Sequence, residues 1–345
     1  MNPLASSVFI LSLAIGTTLT LSSHHWLLAW VGLEINTLAI IPLMTKKPHP
    51  RAIEAATKYF LTQATASALV LFSALINAYY TGEWAIALLS TPPATSLSIA
   101  LMMKLGLAPM HFWMPEVMQG IPLLTGLILS SWQKIAPMAL LLQITQLVNL
   151  ELMITIGMTS ILIGGWGGIN QTQLRKIMAF SSIGHLGWMI IILKFNPQLT
   201  IFNFILYLLM TTAMFSSLMT IDATKMLDIS TSWTKAPTLI PIMMMTLLSL
   251  AGLPPLTGFS PKLLISLELI KQDAVLLAAL AMLFSLLALF FYLRLTYIFA
   301  LTLPPSNSSL MFLWYSTTKT NMMAPILNAA ALLIFSLSPT LLLFI

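Results

Sequence analysis

Of the chain's 345 residues 58% are hydrophobic and only 7% charged, with a mean hydropathy of +0.95; soluble domains carry about a quarter charged residues, so an ordinary soluble fold is excluded and a multi-spanning membrane protein is predicted. The net charge of +6 comes from fifteen Lys and Arg scattered among spans and loops, without the basic stripe or aromatic-interleaved run of a nucleic-acid surface. The absence of cysteine excludes disulfides, cysteine-ligated iron–sulfur clusters and thiol catalysis within this chain.

Residues 1–22 have no basic n-region and no small-residue cleavage site, and read as a first span, 3–22, not a removable signal. Further apolar stretches of about 20 residues, the length that crosses a bilayer, lie at 25–44, 53–80, 95–118, 121–142, 147–169, 174–193, 199–221, 237–271, 274–300 and 324–345. The prediction is an all-α polytopic protein of about eleven transmembrane helices. Lys and Arg in short loops mark the inner side. Lys46, Lys47, Arg51, Arg175, Lys176, Lys225, Lys235 and Lys319 fall after even-numbered spans, while Lys194 and Lys271 fall on the other side, so the N-terminus is expected inside and the C-terminus outside. The sequons at Asn170 and Asn307 then land on the inner side, where glycosylation does not occur, and read as chance.

Two spans are interrupted. In the fourth, Lys104 precedes Gly106-Leu107-Ala108-Pro109; in the ninth, Lys262 follows Gly252-Leu253-Pro254-Pro255-Leu256-Thr257-Gly258. Proline removes an N–H and disfavours helical geometry in the residue before it, and glycine tolerates unwinding. Broken membrane helices occur only where protein buries them or they line a wet cavity, and paired breaks in matching positions of two halves mark a transport path. Each break falls in the fourth helix of a five-helix set. The expected organisation is therefore a first repeat at 1–142, broken near 106–109, a second, inverted repeat at 146–300, broken near 252–258, and a loop with a terminal transmembrane helix at 301–345.

An ionisable side chain inside a membrane costs at least ~3 kcal/mol on insertion scales and is a functional candidate by default. Glu34 lies near the centre of the second span, too deep to reach an interface; a protonated, hydrogen-bonded carboxyl is the alternative to a titrating one. Lys134, in Ser130-Ser131-Trp132-Gln133-Lys134-Ile135-Ala136-Pro137, lies well inside the fifth span, although its long stem could reach toward one surface. Lys262 is read as a pathway residue, against simple charge balance. His111 and His185 are candidate relays, since imidazole can pass a proton between its nitrogens, or packing residues. Arg294 is open between a helix-end anchor and a pathway residue. Lys58 and Glu54, near Arg51, are assigned to the interface. No His and carboxylate spacing resembles a metal site, and Gly164-Gly165-Trp166-Gly167-Gly168 reads as helix packing, not a dinucleotide fingerprint.

Glu34, Lys104, Lys134 and Lys262 thus form a sparse string of acid and base suited to protons. At about 4 Å and an effective dielectric near 20, Glu34 and Lys104 would attract by ~4 kcal/mol. Moving one charge across ~150 mV costs ~3.5 kcal/mol. Opening such a pair matches the transfer of one proton in size, provided something outside the chain supplies the energy.

Met1-Asn2-Pro3-Leu4, Trp30-Val31-Gly32-Leu33-Glu34-Ile35-Asn36, Lys58-Tyr59-Phe60-Leu61-Thr62-Gln63, the run from Lys104 to Glu116 and the run from Gly252 to Lys262 resemble, over the whole length, the chain 2 family of mitochondrial NADH–ubiquinone oxidoreductase, the respiratory complex I. The wider family is that of antiporter-like subunits shared with cation/proton antiporters. The resemblance implies that Glu34 and Lys104 are the family's glutamate–lysine pair, Lys134 its bridging lysine and Lys262 the lysine of the second broken helix, with His111 and His185 on the polar axis. It implies no cofactor in this chain, and NAD, FMN, iron–sulfur clusters and ubiquinone in partner subunits. Expected partners are the antiporter-like, small core and accessory membrane subunits and lipids, cardiolipin among them, in the mitochondrial inner membrane with the N-terminus in the matrix. Many relatives have fourteen spans, and the resemblance implies that this chain lacks the first three, as animal forms do, leaving a surface expected to meet lipid or other subunits. The rival readings are a free-standing cation/proton antiporter and a structural spacer whose charges steer assembly.

Overall fold

The computed structural model describes residues 3–46, 48–86, 88–231, 238–301 and 323–344; Lys47, Trp233, Lys235, Asn307 and Lys319 lie outside them. The described residues fold as helices joined by short turns. Among them there is no β-strand, only isolated bridges at His25–Ala85 and Gln173–Lys225. Seven helices among the described residues are long and apolar enough to cross a membrane. The chain divides into two compact units between Ser160 and Ile161.

The first unit opens with α1 (Pro3–Ser22) and α2 (Trp26–Met44). They pack closely because a Cβ at Gly16 would meet the Gly32 carbonyl at 3.0 Å and Asn36 Oδ1 at 2.5 Å, the small-residue contact typical of membrane helices. His25 caps α2, its Nδ1 accepting from the Leu27 N–H at 3.2 Å, and its ring stacks on Trp84. His49 caps α3 (Pro50–Thr81) in the same way, with Pro50 in the first turn where its missing N–H costs nothing. Then come α4 (Thr91–Leu105), α5 (Trp113–Gly120), α6 (Leu123–Ser130), α7 (Ile135–Gln143) and the first half of α8 (Leu150–Ile169). Lys58 on α3 pairs with Glu54 at 2.6 Å and with Glu116 on α5 at 2.7 Å. All three are partly exposed, and the second pair ties α5 to α3.

In the second unit α9 (Leu174–Leu193) is the centre, 83% of its apolar window buried against 28% for α14 (Val275–Leu301). Around it lie α10 (Pro197–Ile221), α12 (Leu239–Ala251), α13 (Phe259–Lys271) and α14, with α15 (Met323–Phe344) against α10 and α12. The short α11 (Met226–Thr231) touches α14. Arg294 on α14 donates from Nη1 to the carbonyl of Ile169, the last residue of α8.

The expected fourth and ninth spans are each two helices, and the two breaks share one construction. Gly106 ends α4 at φ 80, ψ 36 and Gly252 ends α12 at φ 80, ψ 42, a left-handed conformation open to glycine and costly for other residues. Each glycine N–H bonds the carbonyls three and four residues back, and the next N–H reaches five back, Leu107 to Met102 at 3.1 Å and Leu253 to Leu248 at 3.3 Å. These bonds satisfy carbonyls that a helix end would otherwise leave orphaned. A cis prolyl bond follows in both, at Ala108–Pro109 and Pro254–Pro255.

The fifth span, expected to be continuous, is interrupted as well. A 3-10 turn at Trp132–Lys134 separates α6 from α7. Pro137, in the first turn of α7, cannot donate to the Gln133 carbonyl and its ring would clash with it in a regular helix. Lys134 sits on this turn.

Candidate functional site

The C-terminus of α4 presents Lys104, 6% exposed, to the interior of the first unit. Trp113, the first residue of α5, folds back onto the break: its indole N–H donates to the Met103 carbonyl at 3.3 Å and its ring covers Gly106. Tyr59 meets that ring edge to face at 5.8 Å. Beneath them lies a cavity of about 20 Å³ lined by Lys104, Lys134, Asn36, Gln63, Gln133 and Tyr59, with Thr37 and apolar neighbours. That volume admits a water molecule, which needs ~10–15 Å³ and a few polar partners.

The structure thus brings Lys104 and Lys134 to one cavity. Lys134 is 3% exposed, so it does not reach a surface along its stem. The Lys104 ammonium is buried without a hydrogen-bond acceptor, and one carboxylate oxygen of Glu34 is buried without a donor. Among the described ion pairs there is none between Glu34 and Lys104 within 4.0 Å. The contact considered from the sequence is therefore open in this arrangement, and the attraction is below the ~4 kcal/mol of a 4 Å pair at a dielectric near 20. His111 is 5% exposed, its Nδ1 3.2 Å from the Pro109 carbonyl; it does not line this cavity.

A second cavity of about 20 Å³ lies within the second unit, lined by Lys262, His185, Ser181, Ser285 and Tyr292 among apolar neighbours. Lys262, in the first turn of α13, folds back over Gly252 and its ammonium donates to the Ala251 carbonyl at 2.7 Å. It therefore caps the negative end of the α12 dipole, a placement that favours a cation. His185, on the central helix, packs its ring 5.8 Å from that of Tyr207. Lys262 and His185 are thus brought together, as Lys104 and Lys134 are in the first unit.

The polar partners were not singled out from the sequence, although their spacing carries a signal. Residues three, four or seven apart share one face of a helix. Glu34 and Thr37, Tyr59 and Gln63, Ser181 and His185, and Ser285 and Tyr292 obey that rule. Among the described residues no group of three or more His, Asp or Glu is placed to hold a metal ion.

Interrupted membrane helices that carry lysines into small polar cavities define the antiporter-like class of multi-spanning membrane proteins. Residues 23–290 match the family described as NADH:quinone oxidoreductase/Mrp antiporter, TM, and residues 289–342 match NADH dehydrogenase subunit 2 C-terminus. The chain is 69% identical over 343 residues to NADH-ubiquinone oxidoreductase chain 2 of Aquarana catesbeiana, covering 99% of this chain and 100% of that one. A subunit of respiratory complex I from Thermus thermophilus superposes with a TM-score of 0.80 at 29% identity, over 96% of this chain and 79% of that one. A chain of the Mrp complex from Dietzia sp. gives 0.83 at 18% identity, over 97% and 75%, a likeness of fold. The chain belongs to the NADH:quinone oxidoreductase/Mrp antiporter membrane family, in its chain 2 branch.

Proposed function

We propose that the chain is the antiporter-like, proton-translocating core membrane subunit of an NADH:ubiquinone oxidoreductase, complex I, and that it moves protons across the mitochondrial inner membrane while the assembled enzyme passes electrons from NADH to ubiquinone. The observation that carries this reading is the pair of water-sized cavities, each lined by a lysine from an interrupted helix and by several other polar side chains among apolar ones. In the first unit Glu34 modulates the charge of Lys104, and Lys104 and Lys134 exchange a proton across their shared cavity. In the second unit Lys262 takes the corresponding part, with His185 as its neighbour, and His111 has a supporting place beside the first break. We read the two broken helices as equivalent members of two inverted five-helix repeats, 1–142 and 146–300. NAD, FMN, iron–sulfur clusters and ubiquinone belong to partner subunits, which supply the driving energy. The partners are the other antiporter-like, small core and accessory membrane subunits. The cations of the inner side, Lys46, Arg51 and Lys176 among them, face the matrix and attract anionic lipid such as cardiolipin; the C-terminus then faces the intermembrane space.

The size of the step fits. Transfer of one charge against ~150 mV takes ~3.5 kcal/mol, comparable to the ~4 kcal/mol gained when a Glu34–Lys104 pair closes to 4 Å at a dielectric near 20. The experiment is proton pumping per electron in the fully assembled enzyme with Lys104→Ala. The reading expects a clear fall in pumping or coupled turnover. Unchanged pumping would leave the charges a role in assembly alone, and Na⁺ or K⁺ exchange for H⁺ by the reconstituted chain alone would make it a free-standing antiporter.

A further inference from the structure

Asn36 lies two residues beyond Glu34 on α2, and the proposed function leaves it without a part. It is 2% exposed, and neither atom of its side-chain amide has a hydrogen-bond partner. Leaving a buried polar group unpaired costs about 1–3 kcal/mol, so such a group in a native core calls for a ligand or a water. Its oxygen has room only because Gly16 carries no side chain. Asn36 is among the residues that line the same small cavity as Lys104, Lys134, Gln63 and Gln133, and the Lys104 ammonium is also unpaired. Its backbone carbonyl accepts from Gln133 Nε2 at 3.2 Å, so the neighbour of Lys134 is fastened to residue 36 itself. Trp132, one residue earlier, donates from Nε1 to the Leu13 carbonyl at 3.4 Å. The turn that carries Lys134 is thereby fixed against α1 and α2.

We propose that Asn36 is a positioning residue of proton transfer, holding one water between Lys104 and Lys134, with Gln133 fixing the turn that presents Lys134. An amide suits the task because it offers both a donor and an acceptor, and the cavity has the volume of a single water. In the step, the water takes a proton from the Lys104 ammonium as it gives one of its own to a neutral Lys134 amine. Lys104 ends neutral, Lys134 ends charged, the water is regenerated and no electron moves.

This inference rests on the proposed function and deepens it. Its test compares Asn36→Thr with Asn36→Val in assembled enzyme, with Lys104→Ala alongside. Thr and Val share a shape and differ by a hydroxyl against a methyl. Coupled turnover and pumping per electron, normalised to assembled enzyme, are expected to fall by roughly tenfold with Val, a modest part of what a positioned proton transfer contributes, and to be rescued by Thr. Equal impairment in both makes the role purely structural and overturns the proposal. Unchanged pumping in the Val variant, with loss in Lys104→Ala, overturns the role of Asn36 and leaves the proton-transfer reading standing; unchanged pumping in Lys104→Ala overturns that reading. Should the Val variant fail to assemble, a density map of the unmodified enzyme decides. A water within about 3.2 Å of the Asn36 amide upholds the proposal, and a cavity without one overturns it.

Discussion

Lys104 and Lys262 stand beside glycines of nearly the same backbone conformation, yet the two neighbourhoods differ. A Cβ on Gly252 would lie 2.9 Å from both Cδ and Nζ of Lys262, whereas the nearest neighbours of one on Gly106 are the Trp113 ring at 3.2 Å and Met114 at 3.5 Å. Alanine at either position takes a left-handed conformation at a cost of about 1–2 kcal/mol. The end of a lysine can swing away, so Gly252→Ala is expected to move the Lys262 amine off the Ala251 carbonyl without collapsing the fold. Both variants should lower the thermal inactivation temperature of the assembled enzyme by similar amounts, and Gly252→Ala should lose more coupled turnover than Gly106→Ala. Equal turnover in the two would remove any role for the placement of Lys262.

At the level of elements, the three interruptions are what bring charge inside. The breaks at 106–109 and 252–258 were legible because glycine and proline lie together where the helix must stop. The interruption of the fifth span was not, because Pro137 acts on the carbonyl four residues before it and so distorts a turn that itself contains no proline. Pro137→Ala restores the missing donor, and a helix interior without proline is more stable by up to ~3 kcal/mol. The expected outcome is an enzyme at least as resistant to heat but with reduced pumping, as the turn at Trp132–Lys134 relaxes and Lys134 leaves the cavity. Retained pumping would show that the turn is incidental. The charged members of both cavities could be read from the sequence because a lone charge in an apolar run is costly. Asn36, Gln63, Gln133 and Tyr59 could not, because an average over a whole span hides a single amide, and their convergence depends on how α2, α3 and the turn pack together. Nor could the sequence say that Arg294 closes the end of α8, or that Glu34 and Lys104 stand apart.

For the molecule as a whole, burial is uneven in a way that fits a subunit among partners. Only 22% of the apolar window of α1 is buried, against 83% for α9, and Leu4, Val8, Leu11 and Ile15 form an exposed apolar stripe along α1. Such a face suits lipid or a neighbouring helix. Leu11→Asp, near the middle of that span, should cost about 2.5–3.5 kcal/mol of insertion and reduce assembled enzyme on a native gel; undiminished assembly would mean that this face meets water. The central claim is that a mostly apolar protein keeps two small wet compartments around lysines on broken helices. Its most direct test is a high-resolution density map of the assembled enzyme. The account predicts ordered water in contact with Lys104 or Lys134 in the first unit and with Lys262 or His185 in the second; dry packing around these groups in every functional state would contradict it.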